Sequence, residues 1–412
     1  MSNIKCLSSG DEDELRSMRE AIVSPQQYFK FLRGDKEHVQ SLRKQRDLFE
    51  QLVKVEKSTR QEVAEVPVVG ISFRFLENLH RLVRDTDNRA LTSITTGDIW
   101  RDYVVPLTHN GCNSVVEMLS KGEQPHEIFN GGATEVGHAN IFVTHTWGGT
   151  FDELYLTLRR VESHPDFADV KNKRYWIDIF TVNQYHEHNF YGTLQTAIGA
   201  IRRTVCVLWP WKDPRVLKRS WCLWELFCSM EAEPPFDVDF FMSQKQERAL
   251  QKDLFDDLND SFSNRVWRQI SNIDSEKAIA TYDKDRDYIK QRIEAGPGFD
   301  AINEQVRSCL KNLVSQLVYD LVPMLKGKNK AQINAVRLLK DIGRLEKDPF
   351  QSSNEPKTSD KGLELEELGQ ACENLLAAIK KVKRREFIRK QKQASIARYR
   401  TKKQERRRFK PK

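Results

Sequence analysis

Residues 141–242 contain four short apolar runs: Ile141-Phe-Val-Thr144, Tyr175-Trp-Ile-Asp-Ile179, Thr204-Val-Cys-Val-Leu208 and Val238-Asp-Phe-Phe-Met242. Between the runs, apolar residues recur at the three- and four-residue spacing of helices, as in Phe151, Leu154, Leu158 and Val161. Short strands rich in β-branched and aromatic residues that alternate with helices are typical of a parallel sheet with both faces covered. The stretch therefore predicts an α/β fold.

Ligands of open parallel sheets bind beyond the carboxyl ends of the strands. In this chain, that rule points to the loops that follow the first three apolar runs, at residues 145–150, 180–192 and 209–220. We therefore expect any functional site to be built from these loops.

Composition restricts the class of protein. Of the 412 residues, 39% are hydrophobic and 31% are charged, and no apolar run reaches the length of a membrane helix. The acidic stretch Asp11–Glu14 is unlike a signal peptide. Seven cysteines without a C-x-x-C pair indicate reduced thiols, so we expect a cytoplasmic protein, with association with the cytoskeleton or a nuclear location as alternatives.

The positive charge is concentrated at the end of the chain. Residues 380–412 hold 17 Lys or Arg and two Glu, a net charge of +15, which leaves −7 on the rest because the whole chain carries +8. Such a segment binds acidic polymers or surfaces through charge, and tubulin, nucleic acid and anionic membrane are the candidates. A solvated tail with no single partner is the alternative.

Four segments are predicted along the chain: a helical N-terminal extension at 1–91, the α/β domain with C-terminal helices at 92–325, a linker region at 326–362, and a helical, strongly basic tail at 363–412. The extension should hold two helices within 11–63 and one over 72–84. These helices either pack on the main domain or form an arm that binds a partner. Thr95 should begin a further helix that Pro106 stops.

Several motifs resemble known families. Trp176-Ile-Asp178 followed after four residues by Asn183-Gln184, and Thr144-His-Thr-Trp-Gly148, are similar to signatures of fungal heterokaryon-incompatibility (HET) domains. Ala197-Ile198, the apolar run after it and Ser220-Trp-Cys-Leu-Trp-Glu-Leu226 resemble Toll/interleukin-receptor (TIR) domains, especially those of plants.

A longer pattern over about residues 92–320 is similar to TIR/HET-like domains of protists and algae. It comprises Pro106-Leu-Thr108, Gly111-Cys112, Phe142–Trp147, Asp283–Ile293 and Asn303. The resemblance implies a flavodoxin-like parallel sheet with strand order about 2-1-3-4-5. It also implies a signalling module that self-associates through this domain.

Many TIR domains cleave the nicotinamide–ribose bond of NAD with a glutamate on the helix after the third strand, and the matching residue here is Glu225. A carboxylate there would stabilise the oxocarbenium-like state of the ribosyl group. The alternative is an ordinary exposed helix glutamate. The resemblance makes NAD a substrate, with no resident cofactor.

The residues expected to contact the nucleotide are His145, Thr146, Trp147, Asp178, Asn183 and Trp221. For Asp178 and Asn183 a role in holding a loop is the alternative. Plant TIR domains carry an arginine in the first loop, and residues 145–150 contain none.

Other patterns point to weaker possibilities. His186-x-His188 lacks the further ligands of a metal site, so no metal is expected. Residues 283–294 place acids at calcium-loop positions but have Tyr288 where the loop needs glycine, so they are expected to begin a helix instead. Cys222, within an apolar helix, is expected to be inert.

Two functions follow. The first is a TIR/HET-like signalling module that cleaves NAD through Glu225. The second is a non-catalytic scaffold of the same fold, whose basic tail fastens it to an acidic partner such as microtubules or nucleic acid.

Overall fold

The computed structural model describes residues 9–33, 38–59, 66–123, 131–186, 190–232, 236, 238–256 and 273–321. The chain divides into two compact units, 1–250 with 271–310 and 251–270 with 311–412. The second unit is described only at 251–256 and 311–321, both helical. The predicted linker region, 326–362, and basic tail, 363–412, lie outside the described residues. The fold and site below belong to the first unit, which includes the helical N-terminal extension.

A six-stranded sheet forms the centre of the first unit. Its strands are β1 (Val69–Ile71), β2 (Val136–His138), β3 (Ile141–Thr144), β4 (Tyr175–Trp176), β5 (Thr204–Val207) and β6 (Val238–Phe241). Their order is β2-β1-β4-β3-β5-β6. The four strands β3 to β6 pair in parallel, as predicted, and follow the order 2-1-3-4. The described residues contain no fifth parallel strand, so the predicted order holds only in part.

The described residues also form helices. They are α1 (Ser9–Ala21), α2 (Pro25–Arg33), α3 (His38–Thr59), α4 (Phe73–Thr86), α5 (Thr96–Ile99), α6 (Val105–Thr108), α7 (Val115–Ser120), α8 (Phe151–Ser163), α9 (Asp178–Thr181), α10 (Phe190–Ile201), α11 (Ser220–Glu231), α12 (Gln244–Asp256), α13 (Asp283–Ala295) and α14 (Gly298–Leu321). None of these described helices is long and apolar enough to cross a membrane.

The alternation of side chains along the strands explains why both faces of the sheet are covered. Ile141, Val143 and Val205 belong to one apolar core together with α4 and α8, which pack on each other. The intervening side chains of Phe142 and Cys206 are equally buried but lie outside that core. Since successive side chains of a strand point to opposite faces, these two face the other layer. The predicted α/β fold is therefore confirmed.

Two local predictions were wrong in detail. The described part of the 11–63 region forms three helices, α1 to α3, rather than two. Pro106 does not stop the helix that begins at Thr96, because residues Trp100–Val104 adopt a π-helical turn and the chain continues into α6. In that turn the N–H of Val105 donates to the carbonyl oxygen of Trp100, five residues earlier. The hydrogen-bond register of the helix therefore shifts by one residue immediately before the proline. Thr95 does cap the helix start, as predicted, in a capping box with Asp98.

The antiparallel pair β1 and β2 was not predicted. Each has three residues with a central glycine, too short for an alternating pattern. β1 pairs with β2 and with β4. A Cβ built on Gly70 would lie 2.7 Å from the carbonyl oxygen of Tyr175, so glycine is required where these backbones approach.

Gly70→Ala is therefore expected to destabilise the protein by about 1 to 3 kcal/mol, because the backbone of β4 must move. Gly192 in α10 is the matched control, since a Cβ there meets nothing within 4 Å. Gly192→Ala should raise the free energy of unfolding by up to about 1 kcal/mol, because alanine favours helix. Urea unfolding followed by tryptophan fluorescence measures both. Equal effects of the two variants would contradict this account of β1.

A buried carboxylate connects the N-terminal helices to the rest of the unit. Asp102 is fully buried and accepts hydrogen bonds from Tyr28 of α2 and from three arginines: Arg46 of α3 at 2.7 Å, Arg89 at 2.8 Å and Arg101 at 2.9 Å. These contacts neutralise a charge that would otherwise be costly to bury.

Asp98 extends the same network toward the sheet. Arg101 bonds to its carboxylate at 2.6 Å, and Arg89 lies 3.2 Å from it. Burial opposes the ionisation of Asp98, but hydrogen bonds from Thr95 and the two arginine charges outweigh it and lower its pKa to about 2.

Candidate functional site

The first loop, residues 145–150, leaves the carboxyl end of β3 and is fixed by the first residues of α5. Gly97 N–H donates to Trp147 O at 2.9 Å, and Thr96 N–H donates to Gly149 O at 2.8 Å. Within the loop, Gly149 N–H donates to Thr146 O at 2.8 Å and closes a tight turn. These backbone bonds hold the loop in one conformation, so its side chains have fixed positions. Thr146 itself is half-buried at the base of the turn.

The structure brings two of the predicted residues into direct contact. The indole N–H of Trp147 donates to Asp178 Oδ2 at 2.7 Å. Trp147 follows β3 and Asp178 begins α9 directly after β4, and these strands are neighbours with parallel pairing. Trp147 also packs against Trp100, with ring centres 5.5 Å apart, and remains 36% exposed. An aromatic face is thus presented at the carboxyl edge of the parallel strands, where Trp147 meets the carboxylate of Asp178. This edge is called the rim below.

His145 lies beneath this pair. Its Nε2 is 3.8 Å from Asp178 Oδ1, and no hydrogen-bond partner for Nε2 occurs in the part of the chain that the structure describes. Burial lowers the pKa of His145, and the charge of Asp178 offsets only part of that effect. The imidazole is therefore neutral at physiological pH.

Glu225 approaches the same rim from α11. The first turns of this helix are attached to the end of β3, since the thiol of Cys222 donates to His145 O at 3.2 Å. Glu225 is half-buried as a residue, but its Oε2 is completely enclosed and has no hydrogen-bond partner among the described residues. Burial, reinforced by the negative charge of Asp178, raises the pKa of Glu225 well above its usual range.

An enclosed carboxyl without a partner is unusual, because buried polar groups are nearly always hydrogen-bonded. Such groups occur where an ion, a water or a substrate completes the site. Burial also raises the pKa of the Cys222 thiol well above the usual value, so Cys222 has no thiolate to act as a nucleophile. Glu225 is consequently the carboxyl group of this rim that has an enclosed oxygen without a partner among the described residues.

Two of the residues predicted to contact the nucleotide, Asn183 and Trp221, make structural contacts instead. Asn183 is buried, and its amide donates to Cys112 O at 3.1 Å and to Glu117 Oε2 at 2.7 Å, while its Oδ1 accepts from Tyr185 N–H at 2.9 Å. Its amide hydrogens are thus used to hold the second loop, which was the alternative considered for it.

Trp221 belongs to an aromatic cluster on α10, α11 and α13. Its ring stacks on Tyr191 at 5.2 Å, and its indole N–H and the Tyr191 hydroxyl both donate to Asp285, at 3.4 and 2.9 Å. Asp285 is part of the acidic first turn of α13, which the sequence predicted as a helix start. Trp221 therefore braces α11 against α13.

Sequence reasoning missed Arg215, in the loop after β5. Its Nη1 donates to Gly148 O at 3.0 Å, and its guanidinium lies 4.8 Å from the ring centre of Trp209. The family resemblance directs attention only to the first loop, which contains no arginine. The signal that points to Arg215 is position: residues 209–220 follow a strand adjacent to β3, so their side chains reach the same edge.

The described residues hold no group of three or more His, Cys, Asp or Glu side chains that could bind a metal ion. The site is thus composed of an indole and a carboxylate that are hydrogen-bonded, a neutral imidazole, an enclosed carboxyl and a guanidinium. Comparison of the chain with protein-family models, with curated proteins and with solved structures finds no match.

Proposed function

We propose that this chain is a TIR/HET-like signalling module that cleaves NAD at the nicotinamide–ribose bond, with Glu225 as the catalytic carboxylate. The observation that carries the proposal is the enclosed, unpartnered Oε2 of Glu225 at the rim where Trp147 and Asp178 meet. The parallel order 2-1-3-4 and the position of the glutamate on the helix after the third parallel strand agree with it.

The reaction requires stabilisation of positive charge. When the bond between ribose C1′ and the pyridinium nitrogen breaks, the nitrogen keeps the electron pair and nicotinamide leaves neutral, while the ribosyl group becomes oxocarbenium-like. A nearby carboxylate stabilises that cation most strongly where water is excluded, as around Oε2 of Glu225. Water then adds to C1′ and releases a proton. A protonated Glu225 cannot perform this role, so the cationic nicotinamide ring must favour its ionisation on binding.

The remaining residues of the rim have supporting roles in this proposal. Trp147 offers an exposed aromatic face on which a nicotinamide or adenine ring would stack. Asp178 orients that indole through the bond to its N–H. The neutral imidazole of His145 adds no positive charge next to the developing cation.

Nicotinamide release from NAD by the purified full chain tests the proposal. Glu225→Gln keeps the size of the side chain but cannot become negative, so it should lower the rate at least about 100-fold. Glu231→Gln is the matched control, an exposed glutamate at the end of the same helix, and should stay within about twofold of the unaltered chain. No release by the unaltered chain at high concentration, with or without a crowding agent, would refute cleavage.

One observation favours the second candidate, a non-catalytic scaffold. The raised pKa of Glu225 means that without a ligand the carboxyl holds its proton, and a neutral carboxyl inside a packed rim is a structural group. In that function the domain is a docking body that self-associates, and residues 380–412 attach it to tubulin, nucleic acid or anionic membrane. The cytoplasm, the cytoskeleton or the nucleus would be its place of action.

A further inference from the structure

Arg215 is a cation at the rim that the fold does not neutralise. One of its five N–H donors is used for Gly148 O, and the side chain is exposed. Its neighbour Lys218, by contrast, forms an ion pair with Asp213 at 2.6 Å. No carboxylate among the described residues pairs with Arg215, so its charge and most of its donors are available to a ligand.

The position of Arg215 is fixed rather than arbitrary. Its guanidinium stacks on Trp209, and Trp209 itself approaches Gly149, whose Cβ would lie 3.8 Å from the Trp209 ring. The bond to Gly148 O ties the third loop to the first. A planar guanidinium that is already ordered loses little entropy on binding and is suited to two-point recognition of phosphate oxygens.

The surroundings define the ligand that such a cation would take. Of the other ionisable groups of the rim, His145 is neutral and Asp178 and Glu225 are acids, so none of them would attract an anion. Gly148 and Gly149 carry no side chains beside the guanidinium, so a bulky anion can approach the backbone of the first loop. The substrate proposed above carries two linked phosphates, and Arg215, bonded to the first loop beside Trp147, supplies a cation for them.

We propose that Arg215 binds the pyrophosphate of the dinucleotide, while the nicotinamide riboside end lies toward Trp147 and Glu225. This inference rests on the proposed function, since it assigns a further binding residue to the same site. It also implies that ligands with a diphosphate, such as ADP-ribose, bind more tightly than nicotinamide alone.

Calorimetric titration of the full chain with ADP-ribose, with inorganic pyrophosphate and with nicotinamide tests this assignment. Arg215→Gln removes the charge but keeps an amide that can bond to Gly148 O, so the loop retains its support. It should weaken ADP-ribose binding about 10- to 100-fold, the range for a charge-assisted hydrogen bond. Nicotinamide binding should be unchanged, and Arg215→Lys should recover part of the lost affinity for ADP-ribose.

Lys212→Gln is the matched control, because Lys212 is an exposed cation over Trp211 in the same loop. Its affinity for ADP-ribose should stay within about twofold of that of the unaltered chain.

The outcomes separate this inference from the catalytic proposal. ADP-ribose binding that depends on Arg215, without any nicotinamide release, keeps the Arg215 assignment and removes cleavage. Nicotinamide release with ADP-ribose affinity unchanged by Arg215→Gln removes the assignment and keeps cleavage. Absence of ADP-ribose and pyrophosphate binding to the unaltered chain also overturns the assignment.

Discussion

Replacing Asp102 by asparagine is expected to lower the free energy of unfolding by about 3 to 5 kcal/mol, the usual cost of removing one partner from a buried ion pair. Asp102 is fully buried and is the common acceptor for Arg46, Arg89 and Arg101. Asparagine has nearly the same shape but no charge, so three guanidinium groups would lose their shared counter-charge and one acceptor oxygen would become a donor. Urea unfolding at neutral pH measures the change.

An exposed pair gives the matched control. Asp169 is 75% exposed and lies 3.3 Å from Arg203, so Asp169→Asn removes the same chemical group from a solvated setting. Exposed pairs contribute less than about 1 kcal/mol. Equal losses for the two variants would show that the Asp102 contacts add nothing beyond an ordinary surface ion pair.

Glu225→Gln is expected to make the protein more stable above about pH 5 and to abolish the proposed NAD cleavage. The folded state raises the pKa of Glu225. At a pH between the pKa in the unfolded chain, about 4.3, and the pKa in the folded protein, the native state therefore binds a proton that the unfolded state has lost. Stability therefore falls with rising pH in this window, by at most about 1.4 kcal/mol per pH unit, and is flat below it. Glutamine does not titrate, so the variant escapes this loss.

The measurement is a series of urea unfolding curves from pH 4 to 8 for the unaltered chain, Glu225→Gln and Glu231→Gln. The Glu225→Gln variant and the unaltered protein should coincide near pH 4 and diverge as the pH rises, while the control should follow the unaltered chain. Parallel curves at every pH would mean that Glu225 ionises as freely in the fold as in the unfolded chain. A gain of stability coupled to a loss of activity is typical of residues kept for function.

The parallel strands were predictable because their residues suit only one environment. Ile141–Thr144 and Thr204–Val207 are short, apolar and rich in β-branched residues, and both became buried parallel strands. The same rule placed Trp147 and Asp178 at one edge of the sheet, since each residue comes just after one of two adjacent strands. The hydrogen bond between them was not predicted.

Other features depend on tertiary contacts that a local pattern does not contain. The strand β1 exists because Gly70 lets its backbone approach Tyr175, which no short-range periodicity reports. Arg215 reached the rim because its loop returns toward Gly148, 67 residues earlier in the chain. Asn183 matched a motif, yet its amide is used to hold the chain near Cys112. Sequence pattern thus predicted the edge of the sheet at which these loops meet better than the contacts that each side chain makes there.

The Asp102 network gives the N-terminal helices a way to influence the rim. Tyr28 of α2 and Arg46 of α3 both donate to Asp102. Arg101 bonds to both Asp102 and Asp98, and Asp98 accepts from the N–H of Thr95. The next two residues along the chain, Thr96 and Gly97, donate to the carbonyl oxygens of residues 149 and 147 in the first loop. A partner that displaced α3 would separate Arg46 from Asp102 and weaken the contacts that hold the loop carrying Trp147. The helical extension would then couple an event at the amino end of the chain to the conformation of the first loop.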